Sequence, residues 1–412
     1  MNNKSTLFLI TSGFPYGYGE PFLENEIDYL IKRFNKVVII SHNTSSQYKR
    51  EISDNVDIYR LPYEISKLEK LISLTSVFKR LFWEEIKHIR YSLNISLSLG
   101  IIKTLFISLY NAKRLNKQYA KIISKHSNSN TENYCYSYWC NDSALALTYL
   151  KLKNPKFKTF CRIHGWDVYF EASSINYLPF RQFIADKCDM IFAISKAGRN
   201  YAIDKWRAKP DQIQISRLGI SNNYKIVFNK YEKPIHLLSC SNIIPLKRLH
   251  LIAEALKQMK NVKLKWTHFG DGTERNLVES IIKTLPKSIE VTLKGSVSNN
   301  EIYSFHNLES PNLFINVSST EGIPVSIMEA MSFGIPAIAT AVGGTPEIVN
   351  NENGYLLSKD PSTKDIAEVI QEFLNLSEQE RLNKQKSAYK TWQEKYNAKT
   401  NYTQFVEDIL SL

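Results

Sequence analysis

The sequence predicts an α/β protein built from two doubly wound domains, each with a parallel β-sheet. Two observations support this fold class. Short apolar runs, which are typical of strands buried on both faces of a sheet, recur in both halves of the chain. Each run ends in a polar or glycine-containing loop that leads into a helical pattern, which is the order expected of β–α–β units. The chain has 412 residues, 43% of them hydrophobic, and is long enough for two or three domains.

The first strand is predicted over residues 6–10 and is followed at once by a glycine-containing loop that includes Gly17. A helix is predicted over 21–34 and the next strand over 37–40, so the chain opens with a doubly wound unit. Glycines in the first loop would let the backbone approach a ligand closely. The alternative interpretation is an ordinary turn.

Two later strands of the first half end at polar side chains. The predicted strand 158–163 stops at His164, beside a glycine, and the predicted strand 190–194 stops at Ser195. Both positions lie where parallel strands present their carboxyl ends, the edge at which α/β sheets bind ligands. A lone histidine is more often a structural hydrogen-bonding residue, and this stays the alternative for His164.

The second half contains the most informative stretch. An apolar strand over 313–317 leads into a loop with Glu321, and Pro324 can occupy the first position of the helix that follows. The N–H groups of Val325 and Ser326 therefore lie at the positive end of a helix, without intrahelical acceptors. Such an end attracts phosphate groups.

Glu329 follows about a turn and a half inside the same helix, at 3.6 residues per turn, so both glutamates can face one pocket. A second apolar strand, 335–341, ends at Gly343 and Gly344, and another helix begins directly afterwards. Two strand ends thus reach one crevice. Two glutamates at this spacing would by themselves more often be solvated helix residues, and the flanking glycines and prolines favour a site.

This combination resembles the retaining glycosyltransferases of family 4, in particular those of bacterial polysaccharide biosynthesis. The resemblance is carried by Glu321–Gly322–Ile323–Pro324 with Glu329, by Glu329–Ala330–Met331, by Gly334–Ile335–Pro336 and by Gly343–Gly344–Thr345–Pro346–Glu347. It implies the GT-B fold, in which two Rossmann-like domains with parallel sheets face an interdomain cleft. The implied division is an acceptor-binding domain over 1–221, a nucleotide-sugar-binding domain over 222–390, and a helix over 391–412 that crosses back to the N-terminal domain.

The resemblance also implies roles for single residues. Glu321 and His164 are the predicted catalytic residues, at the sugar ring. The N–H groups of Val325 and Ser326, with Lys247, would hold the diphosphate, and Glu329 would accept hydrogen bonds from the ribose. The predicted donor-binding set is completed by Gly17, Ser195, Arg248, Gly270, Asp271, Val297, Gly322 and Ile323.

The stretch 241–248 departs from the diphosphate-binding element that it resembles. The family has an arginine where this chain has Asn242 and a glycine where it has Arg248, while Lys247 matches. We hypothesise that Arg248 supplies part of the missing positive charge. No metal site is predicted, because no D-x-D element lies in the expected pocket and the five cysteines lack metal-ligand spacing.

The formal net charge of +13 calls for an anionic partner, which could be a nucleic acid, a membrane surface or a polyanionic substrate. Within 64–125, apolar residues alternate with lysines and arginines in helical patterns. Two interpretations stay open: these helices lie on an anionic membrane, or they pack over the sheet with their lysines in water. No signal peptide or membrane-spanning run is recognised, which predicts a cytoplasmic protein, peripheral at the cytoplasmic face of the membrane if the first interpretation holds.

The predicted function is metal-independent, retaining hexosyl transfer without a cofactor. The substrates are a UDP- or GDP-sugar and a saccharide or lipid-linked saccharide acceptor of surface polysaccharide biosynthesis. The alternatives are a sugar-nucleotide epimerase or phosphorylase on the same scaffold, or an inactive scaffold that binds sugar nucleotides. Nucleic-acid binding is disfavoured, because the basic residues are spread out and form no basic-aromatic module.

Overall fold

The computed structural model describes residues 4–127, 131–228 and 234–412. The chain forms two compact units, one made of the residues up to Arg217 together with Tyr402–Leu412, and the other of Leu218–Asn401. The acceptor and donor roles assigned to the two domains stay predictions.

In the described part of the first unit, seven parallel strands form one sheet in the order β3-β2-β1-β4-β5-β6-β7. The strands are β1 Lys4–Thr11, β2 Lys36–Ser41, β3 Val56–Arg60, β4 Thr131–Ser137, β5 Lys158–Ile163, β6 Met190–Ala193 and β7 Ile213–Ile215. Leu7 in β1 pairs with Val37 in β2 on one side and with Tyr134 in β4 on the other. Most residues of the central strands are buried on both faces, as expected of a parallel sheet with helices on both sides.

The helices of the first unit are α1 Leu23–Arg33, α2 Lys67–Ile72, α3 Arg80–Lys87, α4 Leu99–His126, α5 Asp142–Lys153, α6 Arg181–Lys187 and α7 Lys196–Lys205. A short 3-10 helix, Ser73–Phe78, continues α2. The long helix α4 begins where the side chain of Ser98 accepts a hydrogen bond from the N–H of Ile101, and its buried face includes Leu105 and Leu109.

In the described part of the second unit, six parallel strands are ordered β10-β9-β8-β11-β12-β13. The strands are β8 Ile235–Cys240, β9 Leu264–Phe269, β10 Ile289–Leu293, β11 Leu313–Asn316, β12 Ala337–Thr340 and β13 Gly354–Leu357. The helices are α8 Leu249–Gln258, α9 Arg275–Ile282, α10 Asn299–Glu309, α11 Val325–Ser332, α12 Thr345–Ile348, α13 Thr363–Asn375 and α14 Glu378–Lys395. A last helix, α15 Ala398–Leu410, begins in the residues of the second unit and ends in those of the first.

Both sheets confirm the predicted fold class. In each sheet the strand order reverses direction next to the first strand of the unit, between β1 and β4 and between β8 and β11. Loops that leave the carboxyl ends of strands at such a reversal diverge, and ligands of open α/β sheets bind in the crevice between them. Among the described residues, no helix combines the length and the apolar character needed to cross a membrane.

Candidate functional site

The loops after β8 and β11, at the strand-order reversal of the second unit, are joined by an ion pair. Nζ of Lys247 lies 2.6 Å from Oε1 of Glu321, and the two side chains are only 21% and 12% exposed. Nδ2 of Asn316 donates to the same Oε1 at 3.2 Å, and the N–H of Ser319 donates to the carbonyl of Leu246 at 2.9 Å. The fold therefore holds an acidic and a basic side chain together at one sheet edge.

Arg248 hydrogen-bonds the backbone of the loop that follows β11. Its Nε donates to the carbonyl of Val317 at 2.7 Å and its Nη2 to the carbonyl of Ser318 at 2.9 Å, while Nη1 lies 2.9 Å from Oδ1 of Asp360. Its backbone adopts a φ of 49°, in the left-handed region. That region disfavours side chains, which explains why the resembled element has glycine there. The guanidinium is thus engaged by the protein, and its predicted contact with a diphosphate stays a prediction.

The N-terminus of α11 lies directly after the Glu321 loop. Pro324 occupies the N-cap, one position earlier than predicted, and the half-buried Val325 and Ser326 provide the first helical amides. Glu329, in the same helix, is 9% exposed. Burial raises the pKa of the Cys240 thiol to about 12, the negative charge of Glu329 adds to this rise, and Lys247 opposes it. Glu329 and Lys247 therefore both act on the carboxyl end of β8.

The glycine pair after β12 allows two loops to come into contact. A Cβ atom on Gly343 would lie 1.7 Å from the carbonyl oxygen of Glu321, and its φ is 51°. The N–H of Gly344 donates to the carbonyl of Gly322 at 2.8 Å. Any larger residue at Gly343 would push the Glu321 loop away, so this glycine is needed to place Glu321 and Gly322. Ile323, next in the loop, is buried.

Further predicted donor-binding residues follow β9 and β10. Gly270 has a φ of 134°, and a Cβ there would lie 1.8 Å from the carbonyl oxygen of Ser241, so the turn fits closely against the loop after β8. The carboxylate of Asp271 lies 3.0 Å from the guanidinium of Arg275, in the first turn of α9. Val297 is half-buried in the loop after β10. The structure thus brings the ends of β8, β9 and β10 together, and the roles of these residues toward a nucleotide stay predictions.

In the first unit, His164 follows β5 and is 6% exposed. Its ring lies 4.4 Å from the ring of Trp139 and 4.7 Å from that of Tyr138, measured between centroids. Neither ring nitrogen has a hydrogen-bond partner among the described residues. Nδ1 lies 3.8 Å from Oδ2 of Asp167, which is beyond hydrogen-bond distance. Burial lowers the pKa of His164 more than the Asp167 charge raises it, so the imidazole is neutral near pH 7.

The loop after β1 is held by a carboxylate that sequence analysis did not single out. Glu20 accepts hydrogen bonds from the N–H groups of Ser12 at 2.8 Å and of Gly13 and Phe14 at 2.7 Å each. The indole N–H of Trp139 donates to the same carboxylate. Glu20 therefore connects this loop to the aromatic group around His164. A glutamate directly before a predicted helix was the available signal, but its partners are set by the fold.

Two other predicted donor-binding residues of the first unit have hydrogen-bond partners outside this group. The hydroxyl of Ser195 accepts from the N–H of Gly198 at 3.0 Å and caps α7, and it is fully buried. Gly17, with a φ of 74°, donates its N–H to the carbonyl of Tyr48 at 3.0 Å. Both positions have a structural role, and their predicted contact with a donor stays a prediction.

Comparison with known proteins finds a similarity in the second unit. Residues 221–391 match the family described as glycosyl transferases, group 1. The matched segment contains the Lys247–Glu321 pair, α11 and the turns at Gly270 and Gly343. The chain is also similar to the putative colanic acid biosynthesis glycosyltransferase WcaL of Escherichia coli K12. The two are 26% identical over 229 residues, which are 53% of this chain and 55% of that protein, so the chain spans about half the length of this curated relative.

Solved structures resemble the whole chain. A glycosyltransferase from Rickettsia africae superposes with a TM-score of 0.70 over 99% of this chain and 98% of that one, at 16% identity. HepE of Anabaena, solved in complex with UDP and glucose, superposes with a TM-score of 0.64 over 99% of this chain and 100% of that one, also at 16% identity. At this level of identity the likeness concerns the fold, and it confirms the predicted fold class of two Rossmann-like α/β domains.

Proposed function

We propose that this chain is a retaining glycosyltransferase that moves a sugar from a nucleotide-sugar donor to a saccharide or lipid-linked saccharide acceptor in surface polysaccharide biosynthesis. The observation that carries the proposal is the Lys247–Glu321 pair in front of the N-terminus of α11, at the strand-order reversal of a glycosyl transferases group 1 segment. Basic and acidic side chains beside helix amides match a ligand that has both phosphates and sugar hydroxyls.

Departure of the nucleoside diphosphate is the step that this site is suited to accelerate. Negative charge grows on the β-phosphate as the bond to the sugar breaks. Lys247 and the amides of Val325 and Ser326 are positive groups in fixed positions, and preorganised charge of this kind stabilises a transition state without reorganisation. Lys247 has three N–H donors, so it can keep Glu321 as a partner while it binds phosphate. These protein charges would perform the neutralisation that a divalent cation performs elsewhere, and the proposed reaction is metal-independent.

The two glutamates are assigned different parts of the donor. Glu329, inside α11, would accept hydrogen bonds from the ribose hydroxyls. Glu321, with the backbone of Gly322 and Ile323, would position the sugar ring. The difference in their surroundings supports this division: Glu321 is held by Lys247 in the loop, while Glu329 lies a turn further along, toward the end of β8.

His164 is proposed to contact the donor sugar near the reacting carbon. The burial of its ring supports this contact. A buried imidazole whose two nitrogens lack partners costs stability, and such groups are usually satisfied by a ligand or water. Because burial lowers its pKa, the ring is neutral at physiological pH and presents one donor and one acceptor, which suits a sugar hydroxyl. The acceptor oxygen would attack the reacting carbon on the face from which the nucleoside diphosphate departs, which would retain the anomeric configuration.

Donor binding followed by product analysis tests the proposal. The purified chain is titrated calorimetrically with a panel of UDP- and GDP-sugars, with the free nucleotides and with a DNA duplex as a nucleic-acid control. A ligand found in this way is incubated with saccharide acceptors, with and without EDTA, and the new linkage is assigned by NMR coupling constants. Binding of one sugar nucleotide and an EDTA-resistant product with the donor's anomeric configuration are expected. Inverted product would overturn the retaining mechanism, binding without turnover would leave a sugar-nucleotide scaffold, and no binding would overturn the function.

We further assign the reaction to the cytoplasmic face of a membrane, where a lipid-linked acceptor would be held. The net charge of +13 agrees with an anionic surface there.

A further inference from the structure

One helical segment of the first unit exposes most of its large apolar side chains and buries two serines. In residues 67–78, formed by α2 and the 3-10 helix that continues it, the side chains buried against the protein are Ser73 and Ser76. The large apolar side chains face water instead: Leu68 is 67% exposed, Leu71 64%, Leu74 50% and Phe78 87%.

The spacing of these four residues, three or four positions apart, places them on one side of a helix. They form an apolar stripe, while Val77 on another side of the segment packs against the core. A contiguous exposed apolar stripe is typical of an interaction surface. Of the two interpretations that the sequence left open, this segment favours the one in which the basic helices lie on an anionic membrane. The helix α4 buries an apolar face in the core of the first unit, whereas of residues 67–78 only Val77 packs against that core and the stripe stays exposed.

A basic cavity adjoins the apolar stripe. It has a volume of about 610 Å³ and lies between the 3-10 helix, α4 and the end of α5. Six cationic side chains line it: Lys79, Arg80, Lys113, Arg114, Lys117 and Lys153. None of the described lining residues is acidic. Phe78 directly precedes Lys79, so the stripe ends at the rim of the cavity.

Four of these cations form no ion pair within the described part of the chain. Arg80 pairs with Glu84, and Arg114 donates to backbone carbonyls and to Asn111. No described carboxylate forms an ion pair with the remaining four, which are Lys79, Lys113, Lys117 and Lys153. The pKa of Lys113 is lowered, first by the neighbouring Lys79, then by burial and then by Lys117 and Lys153. Concentrating four like charges around one cavity is unfavourable unless an anion binds there.

We infer that the apolar stripe (Leu68, Leu71, Leu74 and Phe78) and the adjoining basic cavity form a docking site for an anionic phospholipid bilayer. One phosphate headgroup would occupy the cavity, and the stripe would enter the acyl region beside it. Charge complementarity selects the occupant: a protein partner would have to present an anion and an apolar surface side by side, which is what every anionic lipid does. This inference rests on the proposed membrane location and identifies the surface responsible.

Vesicle co-sedimentation without donor or acceptor tests this inference independently of glycosyl transfer. Vesicles are made either of phosphatidylcholine alone or of equal parts of phosphatidylcholine and phosphatidylglycerol. The wild-type chain is expected to bind the anionic vesicles and to dissociate as salt is raised. Each lysine near an anionic surface contributes a factor of about five in binding, so Lys113→Gln with Lys117→Gln should weaken binding about 30-fold. Phe78→Ser should weaken it about tenfold, since an aromatic side chain is withdrawn from the acyl region.

Matched controls come from the second unit. Lys364→Gln with Lys390→Gln removes the same charge from exposed positions, and Leu308→Ser removes an apolar side chain that is 79% exposed. Both should leave vesicle binding within twofold of wild type, and thermal unfolding verifies that every variant is folded. Equal binding to neutral and anionic vesicles would overturn the inference. So would lysine variants that lose binding of inorganic phosphate in solution while their vesicle binding is unchanged, because the cavity would then be a site for a soluble anion. If vesicle binding fails but sugar transfer is found, only the docking site is refuted.

Discussion

Replacing Glu329 with glutamine tests the proposed ribose contact with the least disturbance of the fold. The side chain keeps its size and one acceptor oxygen but loses its charge. A hydrogen bond to a charged group contributes about 1.5–3 kcal/mol and a neutral one about 0.5–1.5 kcal/mol, so the loss should be about 1–1.5 kcal/mol. At 1.4 kcal/mol for each factor of ten, the Kd of the donor should rise about 5- to 12-fold. The side chain is 9% exposed, so solvent does not screen the change strongly.

Comparing the change in Kd for the free nucleotide with the change for the nucleotide sugar is more diagnostic than the size of either change. Ribose belongs to the nucleotide, so Glu329→Gln should weaken the binding of the free nucleoside diphosphate and of the nucleotide sugar by the same factor. Glu321→Gln should weaken the nucleotide sugar more than the free nucleotide, because Glu321 is assigned to the sugar ring. Isothermal titration calorimetry with both ligands measures the two ratios.

Glu352 provides a control for this experiment. It is exposed and lies in the turn before β13, at the sheet edge opposite the strand ends of the site. Glu352→Gln makes the same change in net charge, and donor affinity should stay within twofold of wild type. A folded Glu329→Gln variant that binds the free nucleotide as tightly as the wild type would refute the assignment of the ribose to this carboxylate.

Four further changes test neighbouring steps. Lys247→Met removes a charge aimed at the leaving phosphate and should lower kcat/KM about 100- to 1000-fold in a steady-state assay; a fall below fivefold would speak against that role. Arg248→Ala should weaken donor binding in calorimetry, and Arg248→Lys should fail to restore it because one ammonium cannot reproduce the planar set of donors; unchanged affinity in Arg248→Ala contradicts the hypothesis. Glu20→Gln should loosen the loop after β1 and lower kcat more than it raises KM, since the loop amides lose a charged acceptor; equal kinetics to wild type would show the carboxylate to be dispensable. His306 has a pKa lowered to about 3 by burial, so the unfolded chain takes up a proton below pH 6.5 that the folded chain does not. Stability is therefore lost as the pH falls, by about 3 kcal/mol between pH 6.5 and pH 4, and His306→Phe should remove this part of the loss in urea unfolding; parallel pH profiles for the two proteins would exclude it.

The interior of both sheets could be predicted from the sequence. The predicted strands 313–317 and 335–341 correspond to β11 and β12, because central parallel strands are buried on both faces and their apolar runs are nearly continuous. The pattern did not indicate β3 or β13. Both lie at a sheet edge, where only one neighbour pairs with them and a mixed, short pattern such as VDIYR or GYLL is sufficient.

The candidate site could be located from the sequence but not fully described. Local spacing was enough to place Glu321 and Glu329 near the start of one helix. The partners of Arg248 and Glu20 could not be predicted, since they depend on loops that are distant in sequence and meet only in the folded sheet. For Arg248 the sequence suggested a positive charge directed at the diphosphate. Its guanidinium instead makes four hydrogen bonds that offset a left-handed backbone.

The two units use the same architecture differently, and the difference indicates which of them receives the phosphates. At the strand-order reversal of the first unit, three consecutive loop amides point at one spot, an arrangement that binds anions, but the carboxylate of Glu20 already occupies it. At the reversal of the second unit, Glu321 is held by Lys247 and does not cap the amides of α11, whose N-cap residue is a proline without a side-chain acceptor. An incoming diphosphate would have to displace a buried carboxylate in the first unit, whereas in the second it meets a lysine and an uncapped helix end. Glu20→Gln should therefore leave the Kd of the free nucleotide unchanged while Lys247→Met raises it, and the reverse result would place the nucleotide in the first unit.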